Sequence, residues 1–236
     1  IPYPYLIISY LKGKEVTINK KNLLNIINEI SSINNKKLSF IDKIYLNKEN
    51  YSDLIKKVKI KESYIDDKIP SIAKIYKIIR IKLSLKKPKY INSDDYLIHG
   101  DLNIRNILIN KGKVKFIDLE HLKIGNTIID IAKLFSLEKL KKYEKEILKE
   151  YNKKIKIKDF FNKYNFCKDF QSYFWLIINT KNYLELIFED PKYKTKNYKK
   201  IIIKNILTNY KYLYKKGYIS KEHNLTYLKK HLKIVL

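Results

Sequence analysis

Apolar residues recur at helical spacing along most of this chain, and one stretch in the middle changes to the alternation of strands. Leu23, Ile26, Ile27, Ile30 and Ile33 fall on one face, with lysines and asparagines opposite. This predicts a helix capped by Asn19 and running to about Ile33. From Ser39 to Ser63 the rhythm is less regular; Phe40, Ile44, Leu46, Leu54 and Ile55 predict one or two short helices. Pro70 suits a helix start, and the stripe Ile72, Ile75, Tyr76, Ile79, Leu83 continues it to the break at Lys87-Pro88. After Leu134 the pattern is helical almost throughout, predicting helices near 136–151, 159–166, 168–189, 195–216 and 220–233, with Pro191 and Gly217 as punctuation. Strand signals are few. Pro2 and Pro4 confine any pairing of the opening residues to an edge or a strand start, leaving Tyr5–Ile8 as a short strand before a turn at Lys12-Gly13. Ile107-Leu108-Ile109 and Val114-Lys115-Phe116-Ile117 flank Asn110-Lys111-Gly112-Lys113, which predicts a β-hairpin with glycine in its turn. No flexible linker and no internal repeat divides the chain. The class is α+β, mostly α-helical.

Composition narrows the picture. A hydrophobic content of 45% over 236 residues describes a globular chain with a sizeable core. No apolar run approaches the roughly 20 residues that span a bilayer, so a soluble protein without a membrane partner is expected. The single cysteine, Cys167, excludes an intramolecular disulfide framework and fits a reducing, cytoplasmic location; its neighbours Phe166 and Phe170 make it a core residue and not a nucleophile. The formal charge of +27 is almost all lysine, since Arg80 and Arg105 are the only arginines. Dedicated nucleic-acid sites favour arginine for its planar fork, and these lysines are spread over every segment as solvated faces are. No specific nucleic-acid partner is expected, only weak salt-sensitive association with polyanions. Methionine is absent altogether, so the sequence is expected to begin downstream of its own start codon.

The candidate chemistry lies between Tyr96 and Phe135. Asp101 follows His-Gly and precedes Asn106 by five residues. That is the interval of the kinase catalytic loop H-R-D-x-x-x-x-N, in which the Asp faces the acceptor hydroxyl and the Asn holds a magnesium ion. The hairpin follows, and Asp118 stands at the end of its second strand, in the place of the metal-binding Asp of Asp-Phe-Gly. A carboxylate and an amide brought together by a hairpin make an all-oxygen site suited to a hard cation that also bridges phosphates. Gly125 and Asp130-Ile131-Ala132 complete the series. His121, His223 and His231 form no ligand-spaced cluster.

On HGDLNIRNIL, FIDLE and DIA the chain resembles the aminoglycoside phosphotransferase and choline kinase family, relatives of the protein kinases with HGD in place of HRD. Glu120 replaces the glycine of Asp-Phe-Gly, as is common in that small-molecule branch. The resemblance implies a kinase-like C-terminal lobe that moves the γ-phosphate of ATP, with Mg²⁺, to a hydroxyl of a small molecule. Asp101 then orients the acceptor, Asn106 and Asp118 bind the metal from a solvent-filled cleft, and Leu108 and Ile117 line the adenine pocket or serve as core. Ser9, Tyr10 and Leu11 run along the base as an inter-lobe hinge. His99 braces the loop; Asp130 caps the helix it opens and, by the family reading, steadies the loop; Glu120 supports. On this view residues 1–13 are the hinge strand and 14–236 the catalytic lobe. The N-terminal β lobe is missing, because no lysine lies on a strand upstream of the hinge and the five glycines are not clustered. Two alternatives stay open: an atypical protein kinase, and a catalytically silent nucleotide-binding module. For the acceptor, Glu185, Glu189 and Asp190 would attract a cation while the surrounding lysines repel one.

Overall fold

A computed structural model of the chain describes residues 13–35, 46–48, 50–89, 96–136, 138–189 and 196–233. Eight helices occur among them. α1 (Lys20–Asn34) begins at Asn19, whose side chain accepts from Asn22 N at 2.8 Å. α2 (Tyr51–Lys68) is a single 18-residue helix where the sequence predicted one or two short ones. Asn50 and Asp53 form a reciprocal capping box that fixes its start. Its buried stripe, Tyr51, Leu54, Val58, Glu62 and Ile65, contains a charged member that interrupted the apolar rhythm. Glu62 is 2% exposed and satisfied from outside the helix: Arg80 Nε donates to it at 2.9 Å, and the Tyr173 hydroxyl donates to its other oxygen. Phe40 and Ile44 lie outside the described residues.

α3 (Pro70–Leu85) carries Pro at its first position, and α4 (Thr127–Leu134) is capped by Asn126. α5 (Lys141–Ile155) follows a 3-10 turn, Glu138–Leu140. α6 (Phe160–Phe188) is one 29-residue helix, not the two predicted on either side of position 167. Lys168-Asp169 reads as a polar break, yet Asp169 is buried and accepts the hydroxyls of Tyr212 at 2.6 Å and Tyr218 at 2.7 Å. With α2, α3, α4 and α7 all packing on it, α6 buries residues on most of its faces and shows no single stripe. α7 (Lys196–Lys215) lies along it, and the predicted last helix is a 3-10 turn, Lys221–His223, followed by the short α8 (Leu225–His231). Cys167 is enclosed in this core, and burial pushes its thiol up to about 12. No helix among the described residues is long and apolar enough to cross a membrane.

Two small antiparallel sheets sit beside the helices. β3 (Ile107–Asn110) and β4 (Lys113–Phe116) form the predicted hairpin, Ile107 facing Phe116 and Asn110 facing Lys113. Its turn has φ 47° at Lys111 and 78° at Gly112, both positive as a two-residue type I′ turn demands. A third strand that the sequence did not announce, β1 (Lys14–Glu15), pairs with β3. β2 (Tyr96–Ile98) pairs with β5 (Lys123–Gly125), which brings the residues after β2 alongside those before β5. A buried polar knot fixes these pieces: Asn34 Nδ2 donates to Leu97 O at 2.7 Å, while its oxygen accepts from Thr127 at 2.6 Å and Tyr151 at 2.8 Å. One amide thus ties α1 to β2, α4 and α5.

Candidate active site

The loop from His99 to Asn106 leaves β2 and is held from below by α4. Both oxygens of Asp130, in the first turn of α4, accept backbone N–H groups of that loop, from His99 at 2.7 Å and Gly100 at 3.0 Å. Asp130 therefore does not cap the helix that it was expected to open. Asn126 takes that part, accepting from Ile128 N at 2.9 Å, while Asp130 grips the loop. Burial pushes the Asp130 carboxyl above its ordinary range, against the two N–H donors and the nearby Lys133 charge. His99 is buried too. Its Nδ1 accepts from Asp101 N at 3.3 Å, so Nε2 carries the proton and donates to Ile117 O at 3.0 Å. Gly100 has φ 77°, and a Cβ there would fall 2.2 Å from His121 O, so no side chain fits between His99 and Asp101.

Asn106 Nδ2 lies 3.0 Å from Asp101 O, 3.1 Å from Asp101 Oδ2 and 3.4 Å from Asp118 Oδ2. One amide thus brings the two carboxylates to the same point from sequence positions seventeen apart. Asp118 is exposed and left-handed (φ 62°, ψ 55°), a conformation that Asp tolerates better than most residues and that turns the chain out of β4. Asn106, by contrast, is buried. Both were expected to project into a solvent-filled cleft; Asp118 is exposed, whereas Asn106 is buried, because its amide also holds the loop backbone.

Asp101 has a partner that the sequence reading missed. Lys133 Nζ, from α4, donates to Asp101 Oδ1, and the same ammonium sits 5.3 Å from the Trp175 ring centroid. Burial alone would raise the Asp101 carboxyl; the Lys133 hydrogen bond and charge, the Asn106 amide and His121 outweigh it and hold the carboxyl below its ordinary range. A signal was present, since Lys133 follows Asp130 by three residues and so shares its helix face. Asn103 Nδ2 adds a further contact to Asp101 Oδ2 at 3.4 Å.

The remaining predicted residues lie around this centre. Leu108 is half-buried under Gly13, where a Cβ would stand 2.7 Å from Leu108 Cβ. Ile117 is half-buried, and its N–H donates to Asn106 O at 3.0 Å. Glu120 is exposed beside His121, 3.4 Å away. Ser9, Tyr10 and Leu11 lie outside the described residues, as does Asp190. Glu185 is engaged by Lys181, and Glu189 by the Tyr64 hydroxyl at 2.6 Å.

Known proteins share this fold. Solved structures similar to the chain include choline kinase LicA from Streptococcus pneumoniae, at 17% identity and TM-score 0.54, covering 80% of this chain and 63% of that one. The gentamicin complex of APH(2'')-IIa aligns at 13% identity and TM-score 0.57, covering 84% and 68%. Spectinomycin phosphotransferase APH(9)-Ia, solved with ADP and spectinomycin, aligns at 13% identity and TM-score 0.52, covering 84% and 64%. These likenesses establish the kinase-like fold, and the chain spans about two thirds of the length of each relative. No curated protein matches the sequence. The profile of the phosphotransferase enzyme family (APH) matches residues 2–153, the stretch that holds the loop, the hairpin, Asp118, Asp130 and Lys133, and the chain belongs to that family.

Proposed function

We propose that this chain carries the catalytic residues of an ATP-dependent phosphotransferase that moves the γ-phosphate to a hydroxyl group of a small molecule. The observation that carries the reading is the convergence of Asp101, Asn106 and Asp118, with Asn106 Nδ2 3.1 Å from one carboxylate and 3.4 Å from the other. Spectinomycin phosphotransferase, solved with ADP and with AMP, supports nucleotide use. The gentamicin bound to one relative, the spectinomycin bound to another and the choline of the choline kinase support a small hydroxyl compound as acceptor.

The donors at this point fit a hard divalent cation. Asp118 and the side-chain oxygen of Asn106 supply oxygen donors of the kind such a cation takes, while Asn106 Nδ2 stays on Asp101. Asn106 and Asp118 would hold Mg²⁺, whose charge would offset that of the transferred phosphoryl group. The other roles belong to the chain. Asp101 is kept ionised by Lys133, and its carboxylate offers about four lone-pair sites. Lys133, Asn106 and Asn103 occupy three, which leaves one to accept the acceptor hydroxyl and aim its oxygen at phosphorus. The transition state is loose and asks for little proton abstraction, so position matters most. Asp130 and His99 hold the loop at that position. Leu108 and Ile117 line the base, and the hinge role of Ser9, Tyr10 and Leu11 and the catalytic lobe of residues 14–236 belong to the same proposal.

Asp101→Asn tests the assignment. In the protein that contains this chain, turnover should fall by about two to four orders of magnitude while nucleotide affinity changes little, since the carboxylate serves the acceptor side. Loss of nucleotide binding with the rate restored at saturation would reverse the roles of Asp101 and the Asn106–Asp118 pair.

A further inference from the structure

Between α4, α6 and α7 lies a cavity of about 430 Å³, a volume typical of small-molecule sites. It adjoins the catalytic loop through two residues. Trp175 lines the cavity, its ring carries the Lys133 ammonium, and Lys133 donates to Asp101. An acceptor seated there must reach past Trp175 and Lys133 to bring a hydroxyl to Asp101. The lining is basic. Lys141, Lys168, Lys211 and Lys215 face the cavity together with hydrogen-bonding groups such as Thr208 and Asn209, and none of the described lining residues is acidic.

Among the described residues, Trp175 and the carboxylates Asp101, Asp169, Glu185 and Glu189 are already engaged. Lys133 covers the ring of Trp175, the only tryptophan of the chain, with an internal cation and occupies Asp101 Oδ1. Glu185 and Glu189 are engaged by Lys181 and Tyr64, and at 1.5 Å per residue they lie about 15 and 21 Å further along α6 than Trp175. Buried Asp169, behind the cavity wall, has both oxygens taken by Tyr212 and Tyr218. Of the lysines, Lys168 is neutralised by Glu144 at 2.5 Å. Lys211 and Lys215 stand one helical turn apart on α7, both exposed.

We infer that the acceptor is an anionic hydroxyl compound, a sugar acid or a sugar phosphate in chemical class, whose charged end is held by Lys211 and Lys215. This rests on the phosphotransferase reading above. In the step, the acceptor hydroxyl oxygen bonds to the γ-phosphorus as the bond to the β,γ-bridging oxygen breaks. ADP leaves with that electron pair, and the hydroxyl proton passes to Asp101. The anionic group stays unreacted at the far end of the cavity and fixes which hydroxyl faces the loop.

Equilibrium binding of five probes to the protein decides this: glucose 6-phosphate, glucuronate, glucose, choline and gentamicin, at about 0.15 M salt so that diffuse attraction is screened. The two anionic probes should bind best, and K211A/K215A should weaken them about tenfold. Lys59→Ala with Lys74→Ala, which removes the same charge from exposed positions on α2 and α3, should leave them unchanged. Choline or gentamicin binding more tightly than the anions would overturn the inference, as would equal losses in the two double variants. Titration of the same preparations with ADP reads on the parent reading separately. Selective anion binding without any ADP binding would uphold the anion site and remove the phosphotransferase.

Discussion

Asp101 is held by opposing effects, and among those that outweigh burial the hydrogen bond and charge of Lys133 come first. Burial would raise its carboxyl, whereas Lys133, only 15% exposed and backed by Trp175, lowers it below the usual carboxylate range. A depressed carboxyl contributes stability and function that are complete above its unfolded value, near pH 4, and lost as pH falls through the lower folded value. Lys133→Ala removes the first of the groups that oppose burial and leaves only the Asn106 amide and His121, so the acid limb of kcat/KM should move to higher pH, Lys133→Arg should restore it, and ADP affinity should stay unchanged. An acid limb that stays in place would mean that the lysine has no hold on Asp101. The metal pair separates in the same way. Asp118→Ala, at an exposed position, should abolish turnover and leave thermal stability within about 0.5 kcal/mol. Asn106→Ala should abolish turnover and also cost about 1–2 kcal/mol in denaturant unfolding, because its buried amide supports Asp101 O. The Asp101, Asn106 and Asp118 interval could be read from the sequence because the loop and hairpin are local. Lys133 could not be paired with Asp101 in the same way, since their contact exists only once α4 docks under the loop.

At the scale of elements, helices with a single apolar stripe were legible and those with buried charges were not. α1 and α3 match their expected spans because each buries one face. α2 and α6 were misjudged through Glu62 and Asp169, which look solvent-facing in a linear pattern and are in fact buried and partnered. β1 has only two residues, too few for any alternation, and exists because β3 offers an edge. Glu62 shows what such a residue does. It joins α2 to α3 through Arg80 and to α6 through Tyr173, beside the Lys77–Asp66 pair of α2 and α3 and the Tyr76–Thr180 bond of α3 and α6. Removing one partner leaves the other buried and uncompensated, so Glu62→Ala should cost about 3–5 kcal/mol of unfolding free energy. Glu62→Leu combined with Arg80→Met and Tyr173→Phe should recover most of that loss, since three apolar groups need no partner. If the triple variant is as unstable as Glu62→Ala, the cluster acts by shape and not by charge.

For the whole molecule the sequence announced one property that no local contact alters. Lysine and arginine number 51 against 24 aspartates and glutamates, so pairing every carboxylate with its own cation still leaves 27 cations over. The close ion pairs, such as Lys133 with Asp101 and Arg80 with Glu62, are largely shielded from solvent, where salt screens weakly. The surplus lies on solvated helix faces, where screening is effective and the net interaction is repulsive. Adding salt should therefore relieve more repulsion than it removes attraction. Raising sodium chloride from about 0.05 to 0.5 M, which shortens the screening length from about 14 to 4 Å, should raise Tm by several degrees. Chloride is preferable to sulfate here because sulfate also strengthens apolar burial. The same salt range should release the protein from heparin and from single-stranded DNA alike, with no preference among DNA sequences, as expected of diffuse lysine charge without a built site. A Tm that falls with sodium chloride would show that surface ion pairs, and not the excess lysines, dominate the electrostatics of the fold.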